Sequence, residues 1–506
     1  MKNRFLFINI LIAMMSLSLS ACGNPGSNLE DALIIDIYAS NDIHGQIEES
    51  GGRMNIASYC TFMKKMSTNE NTLLLDQGDS WQGSIYSNYN HGALINDVMA
   101  EAHIDARTVG NHDFDWGVEY LKANTARSYN GYTVPVLAAN VYDYDFINKT
   151  PGNTQQVDIG RKSVTYTLEN GLKVGIVGVI GEHQITTITS SYVQDIAFIN
   201  HINVIKEVAN QLRNEGCDIV IATAHTGQED LIGKGLADCV DLVLCGHTHQ
   251  SETYHEGNLY YAQFGAYNYS IGHIQLAFNP KTKKVVKTDI ETYDEYRINN
   301  VINGKYDANI VSIIDSYNQE CYAEASTVVA SNVYGTFSRG EHASNLMCNA
   351  ILDEAIKEGY EDVIFSYCNN GRDSLPPYSW TYADLYETFP FDNIVYIAEI
   401  KGSDIAYEVE RYNYVCFNDS FDGCYEYNKT YKIAVLDYLL YHTNEERYYD
   451  YFRSFNGEVI GQLNDNYRII LKNWLIENGY SSGNQISRND FTSSNAKFDK
   501  DRFTQI

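Results

Sequence analysis

An α/β fold is predicted for the first half of this 506-residue chain. Three observations predict it. Short runs rich in Val, Ile and Leu recur with the continuous apolar character of buried strands. Helical periodicity fills intervals between them. Several runs then open into polar, glycine-flanked clusters, the pattern expected of loops at strand exits. Length adds a bound: 506 residues exceed one ordinary core, so two or three domains are expected.

In chain order, residues 33–39 read as a strand that runs out into Asn41-Asp42-Ile43-His44-Gly45. The Gly51-Gly52-Arg53 turn and a helix around 56–66 follow, then a strand at 72–75 leading into Asp76-Gln77-Gly78-Asp79. The short approach 104–109 opens on Gly110-Asn111-His112-Asp113-Phe114-Asp115-Trp116-Gly117, which packs an amide, an imidazole and two carboxylates between two glycines. Residues 173–180 and 218–222 have buried-strand character, and the second ends in Thr223-Ala224-His225-Thr226-Gly227. A helical pattern covers 204–212, and a strand at 241–244 ends in Cys245-Gly246-His247-Thr248-His249. Residues 307–325 read as a helix, with Ile310, Ile313, Ile314 and Tyr317 at helical spacing, connecting to a second part that starts near 326. That part has its own strand signals at 362–365, 394–400 and 431–438, and the polar stretch from 481 onward is expected to be loosely held.

Composition excludes some classes. Forty-one tyrosines against seven prolines argue for packed domains over disorder. A net charge of −29 repels a nucleic-acid backbone, so duplex binding is not expected, and any phosphate site must supply its own local positive charge. Lys2 and Arg4, an apolar run and small residues make 1–22 an export signal too short to span a bilayer comfortably. Leu19-Ser20-Ala21-Cys22 resembles a bacterial lipobox in which Cys22 carries the lipid, with 23–32 as tether; the other reading is an ordinary signal peptide with a chance cysteine. The remaining cysteines show no CxxC spacing, and Cys416 with Cys424 is the one pair singled out as able to close a loop.

Five probable strand exits thus offer Asp42 and His44, Asp79, Asn111 with His112, His225, and His247 with His249. Ligands of open α/β sheets bind at the carboxyl ends of strands, so these loops can converge across a long stretch of chain. Mixed imidazole, carboxylate and amide donors suit zinc, manganese or iron better than calcium or magnesium. Two such ions sharing one carboxylate would sit about 3.5–4 Å apart, the arrangement that activates water and stabilises charge in phosphoryl displacement. Singly, each motif is weak: an Asp-x-His is usually a surface turn, and a lone histidine is usually a hydrogen-bonded core residue.

As an ordered set, Asn41-Asp42-Ile43-His44-Gly45, Gly78-Asp79-Ser80, Gly110-Asn111-His112-Asp113, Ala224-His225-Thr226-Gly227 and Gly246-His247-Thr248-His249 resemble the motifs of calcineurin-like metallophosphoesterases. The first and third are similar, more narrowly, to those of the bacterial 5'-nucleotidase family. The resemblance implies a four-layer α/β/β/α sandwich over 33–300, a connecting helix at 301–325 and a smaller α/β substrate domain at 326–506. It also implies two divalent ions, zinc or manganese: one held by Asp42, His44 and His249, the other by Asn111, His225 and His247, with Asp79 bridging. His112 would face the substrate phosphate, oriented by Asp115; a turn-capping carboxylate is the plainer reading of Asp115. Asp113 is left without a role.

In the second part, Ser338-Arg339-Gly340-Glu341, Asn370-Gly371-Arg372 and Phe389-Pro390-Phe391 resemble the same family's substrate domain. The resemblance implies Arg339 and Arg372 as contacts to anionic oxygens and Phe391 as a ring that stacks on a base, against a surface arginine and a core phenylalanine as plainer readings. Two departures stand out. The glycine turn before the arginine is thinned to Cys368-Asn369-Asn370-Gly371, and no Gly-Gly-Asp-Gly-aromatic loop supplies a second ring, for which Tyr448 or Tyr449 would have to substitute. The expected activity is hydrolysis of nucleoside 5'-monophosphates to nucleoside and phosphate by a lipid-anchored protein of the bacterial cell envelope, with attack by metal-bound hydroxide and no protein partner inferred. Alternatives are a 2',3'-cyclic-nucleotide or nucleotide-sugar phosphodiesterase, a sugar-phosphate hydrolase, and a non-catalytic surface solute-binding lipoprotein.

Overall fold

The computed structural model describes residues 31–49, 51–145, 150–409, 414–442, 452–453 and 457–506. The export-signal reading, Cys22, and Tyr448 and Tyr449 lie outside the described residues. Among the described residues no helix is long and apolar enough to cross a membrane.

The strands that position the site are β1 (Leu33–Ser40), β2 (Thr72–Asp76), β3 (Ala106–Thr108), β4 (Val136–Leu137), β5 (Ser163–Thr167), β6 (Lys173–Ile180), β7 (Ile219–His225), β8 (Leu242–Cys245), β9 (Ser251–Glu256), β10 (Leu259–Phe264), β11 (Ser270–Asn279) and β12 (Lys284–Asp294). They form two six-stranded sheets, ordered β12-β11-β1-β2-β3-β4 and β9-β10-β8-β7-β6-β5. The centre of each is parallel: β1, β2, β3 and β4 in one, and β6, β7, β8 and β10 in the other. Antiparallel strands finish the edges.

The inner faces pack directly on each other. Ile35, Ile37, Leu73 and Leu75 of one sheet share a core with Ile176, Ile219, Ile221, Leu242 and Leu244 of the other. A hydrogen bond of 2.6 Å between the hydroxyls of Thr108 and Thr223 joins the sheets near the site. Gly178 makes that approach possible, because a Cβ there would overlap the Cβ of Leu137. Helices α1 (Ile56–Met66) and α2 (Ala93–Glu101) cover the outer face of the first sheet, and α3 (His201–Asn214) covers the second. Val204, Ile205, Val208, Ala209 and Leu212 form the apolar stripe of α3, the i, i+3/i+4 pattern legible in its sequence. The result is the expected four-layer α/β/β/α sandwich.

The predicted helix at 307–325 is α4 (Ala308–Ala325), started by the Asp307 carboxylate accepting from Asn309 N and Ile310 N. Ile310, Ile313 and Ile314 pack into the core beneath the first sheet, whereas Ala325 enters the core of the C-terminal part. That part centres on a five-stranded mixed sheet ordered 414–417, 363–368, 430–436, 394–401 and 457–466, backed by the helices Glu341–Lys357 and Tyr467–Glu477. The tail beyond 481 is not loosely held: Ile486, Phe491 and Phe498 are buried in this core, and Ile486–Ser487 pairs with Val328–Tyr334. Its polar composition hid three apolar anchors spaced along it. Cys416 and Cys424 are free thiols, Cys416 fully buried and Cys424 partly so.

Candidate functional site

All five clusters lie at or just beyond the carboxyl ends of β1, β2, β3, β7 and β8, which run parallel within their sheets. There the backbone is bent into unusual shapes. Asp42, His44, Asp79, His247 and His249 all have positive φ, between 52° and 75°. Left-handed geometry costs a non-glycine residue on the order of 1 kcal/mol, and such strain collects where side chains must converge. Gly110 serves the same end, since a Cβ there would overlap the Asp79 carboxylate and backbone.

The side chains gather into two groups, Asp42 with His44 and His249, and Asp79 with His225 and His247. His44 Nε2 lies 3.0 Å from His249 Nε2, and the Asp42 carboxylate lies 3.9 and 3.5 Å from those two nitrogens. Asn111 Oδ1 joins the second group, 3.1 Å from His225 Nε2 and 2.9 Å from His247 Nδ1. Asp79 Oδ2 stands between the groups, 3.2 Å from His225 Nε2 and 3.8 Å from His44 Nε2.

These spacings fit ions. Two donors about 2.1 Å from one tetrahedral ion are roughly 3.4 Å apart. Backbone carbonyls orient the rings: His44 Nδ1 meets Gln82 O at 3.0 Å and His225 Nδ1 meets Gln77 O at 2.8 Å, leaving each Nε2 for the centre. Asn111 Nδ2 has no hydrogen-bond partner although the side chain is buried, so its orientation is set by the oxygen it aims inward. The residues present therefore suit two divalent cations, with Asp79 reaching both.

Electrostatics reflect the crowding. Burial and the Arg372 guanidinium hold His44 well below the ordinary imidazole range, and burial with the neighbouring His225 pushes His247 down to about 4. Burial opposes charge on Asp79 and His225, but their mutual attraction prevails: the carboxyl is held well below its usual range and His225 is raised to about 10.

His112 Nδ1 is 2.8 Å from Asp115 Oδ2, with side-chain exposures of only 16% and 11%. Asp115 thus contacts the ring, and it is Asp113 that caps the turn, accepting from Gly110 N at 2.8 Å and pairing with the buried Arg107. Arg107 also meets Asp76 at 3.6 Å and lies 3.8 Å over the Trp81 ring, so a buried ionic girder supports the loop of Asn111 and His112. The sequence signal for it was an arginine at the centre of the short approach 104–109 to the loop.

The C-terminal part brings two of its three expected contacts onto this centre. Arg372 Nη1 is 3.0 Å from His112 Nε2, Nη2 is 2.8 Å from His44 Nε2, and Nε donates to the Tyr267 hydroxyl at 3.0 Å. Phe391 stacks on His112 with ring centroids 5.4 Å apart, and the Arg372 guanidinium lies 5.9 Å from the same ring. It is packed at the edge of the C-terminal core as well, so its core and site readings coexist. Arg339 stands farther out, exposed, lining an interdomain cavity of about 290 Å³ with Arg53, Tyr267, Asp373 and Glu387. Tyr267 and Arg53 were not singled out from sequence.

Comparison with known proteins agrees with this geometry. Residues 35–251 match the family model of the calcineurin-like phosphoesterases. The chain is 21% identical over 493 residues to a probable 5'-nucleotidase of Treponema pallidum, covering 82% of this chain and 81% of that protein. It is 24% identical over 405 residues to the endonuclease YhcR of Bacillus subtilis, covering 73% of this chain and 32% of that one. The chain spans less than half the length of several curated relatives that it matches. Its fold is that of the 5'-nucleotidase precursor of Thermus thermophilus, with a TM-score of 0.69 at 17% identity over 88% of this chain and 96% of the other. The stretch that carries both candidate ion sites is thus the one that matches the calcineurin-like phosphoesterase family.

Proposed function

We propose that the protein hydrolyses nucleoside 5'-monophosphates to nucleoside and phosphate. The observation that carries this reading is the convergence of His112, Arg372 and the two ligand groups on one point between the two parts of the chain. Asp42, His44 and His249 would hold one divalent ion, Asn111, His225 and His247 the other, and Asp79 both. Bound there, zinc or manganese supplies Lewis-acid charge and lowers the pKa of water.

The chain's own groups do the rest. Arg372 presents two Nη donors to the phosphate oxygens, moving off His44 and His112 as substrate enters. Asp115 holds the Nδ1 proton of His112 and turns Nε2 to the ester; acting as the doubly protonated imidazolium once Arg372 has moved off, the ring gives its Nε2 proton to the departing 5'-oxygen and is left neutral. Phe391, beside that ring, offers a face to the base. A diester, such as a nucleotide sugar or a 2',3'-cyclic nucleotide, is the second reading, favoured by the 290 Å³ cavity beside His44 and His249 with room for another group.

Phosphate release by metal-loaded protein from nucleoside monophosphates, cyclic nucleotides, nucleotide sugars and a simple aryl phosphate separates these readings. A preference for monophosphates is expected; release from diesters alone would favour the second, and release from none would leave a binding protein. The same proposal places the protein in the bacterial envelope, anchored by lipid on Cys22. Metabolic labelling with a fatty-acid analogue should mark the wild type and not Cys22→Ser, and equal labelling would exclude that anchor.

A further inference from the structure

The residue that aims Arg372 belongs to neither the motifs nor the C-terminal part. Tyr267 sits in the turn between β10 and β11, with φ 53° and its backbone N donating to Asp42 O at 2.7 Å. Its ring is fixed from three sides: centroids 5.1 Å from His44 and 5.2 Å from His249, and the Arg53 guanidinium 4.8 Å from the ring centre. The hydroxyl of this fixed ring accepts the Nε proton of Arg372 at 3.0 Å.

A guanidinium is planar, so fixing the direction of its Nε–H also fixes where both Nη groups point. Here they face His112 Nε2 and His44 Nε2, where the phosphate would lie. Arg53 adds a second tie, 3.4 Å from the carboxylate of Asp373, the residue after Arg372.

We propose that Tyr267 is the positioning residue through which the catalytic domain seats Arg372 of the other part in its phosphate-binding orientation. The proposal rests on Arg372 contacting phosphate. It makes specificity for the anion a shared property of both parts: the C-terminal part supplies the charge and the catalytic part supplies its aim.

The test is calorimetric binding of inorganic phosphate to manganese-loaded full-length protein, which needs no turnover. Tyr267→Phe keeps the ring and removes only the hydroxyl, so it should retain both ions and raise the Kd about tenfold, the scale of one lost hydrogen bond to a charged group. Arg372→Ala should weaken binding more, and adding Tyr267→Phe to it should change nothing further. A wild-type Kd for Tyr267→Phe, the same tenfold loss in the Arg372→Ala background, or loss of metal from Tyr267→Phe would each overturn the proposal. If Arg372→Ala binds phosphate as the wild type does, the phosphate role of Arg372 fails, and the proposal with it. The esterase reading itself is judged separately, by the substrate panel.

Discussion

The loop 110–117 and the loop 368–373 meet at one point but are built in opposite ways. In the first, the proposed ligand Asn111, the proposed proton donor His112 and its partner Asp115 are close in sequence, and the contacts to Asp79, Asp113 and Asp115 that fix the loop lie within the same two-sheet domain, with only His112 Nε2 meeting Arg372 across the interface. In the second, Arg372 reaches the centre from another part of the chain, and its side chain hydrogen-bonds across the interface to Tyr267, His112 and His44. Under the proposed function, the bond-breaking groups are held within one domain, whereas substrate recognition is assembled where the two parts meet.

The largest expected effect strikes the first region at its shared ligand. Asp79→Ala should lower metal content by both ions, read by elemental analysis, and reduce phosphate release to background. Retention of two ions would break the bridging assignment. In the second region, Arg372→Ala should keep both ions and reduce kcat/KM roughly 10²–10³-fold, the scale of losing a charged donor to a transition state. Metal loss there would blur the division between the regions.

A smaller effect is expected at Phe391. Its replacement by alanine should raise KM for nucleotides by about tenfold and leave KM for an aryl phosphate nearly unchanged, consistent with one lost ring contact. Equal changes would return Phe391 to a purely packing role. The smallest effect on activity is expected at Asp105, at the entry of β3, whose exit carries the catalytic loop. Burial raises its carboxyl to about 7 from 3.8, opposed by a hydrogen bond from Leu74 N. The folded state then binds the proton more tightly than the unfolded chain, so stability falls as pH rises from about 4 to about 7. Asp105→Asn should stabilise the protein at pH 8 by about 2 kcal/mol, allowing for partial exposure, with little gain at pH 4 and unchanged turnover. Calorimetric melting at both pH values measures it, and a variant no more stable at pH 8 would contradict it.

The same contrast explains what could be read from the sequence. The strands and their polar exits were legible because most carry a local pattern: an apolar run, then a cluster of donors beside a glycine. The clustering of Asp42, Asp79, His225 and His249 followed from parallel strands ending on one side. Tyr267 carried no such pattern, because its importance comes from a left-handed turn and three neighbours distant in sequence. Asp113 had no role in the sequence reading, and only its hydrogen-bond partners reveal one: it caps the turn on Arg107, whereas Asp115 faces His112. The firm tail beyond 481 escaped notice because its anchors are single residues set among polar ones.

The most direct test of the preorganised first region is His112→Ala, assayed for metal content and for turnover of a nucleoside monophosphate in the same preparation. Two ions per chain with kcat reduced about 10²–10⁴-fold is the predicted result, since under the proposed function the imidazole handles a proton and binds no ion. Loss of an ion, or turnover like that of the wild type with both ions bound, would contradict it.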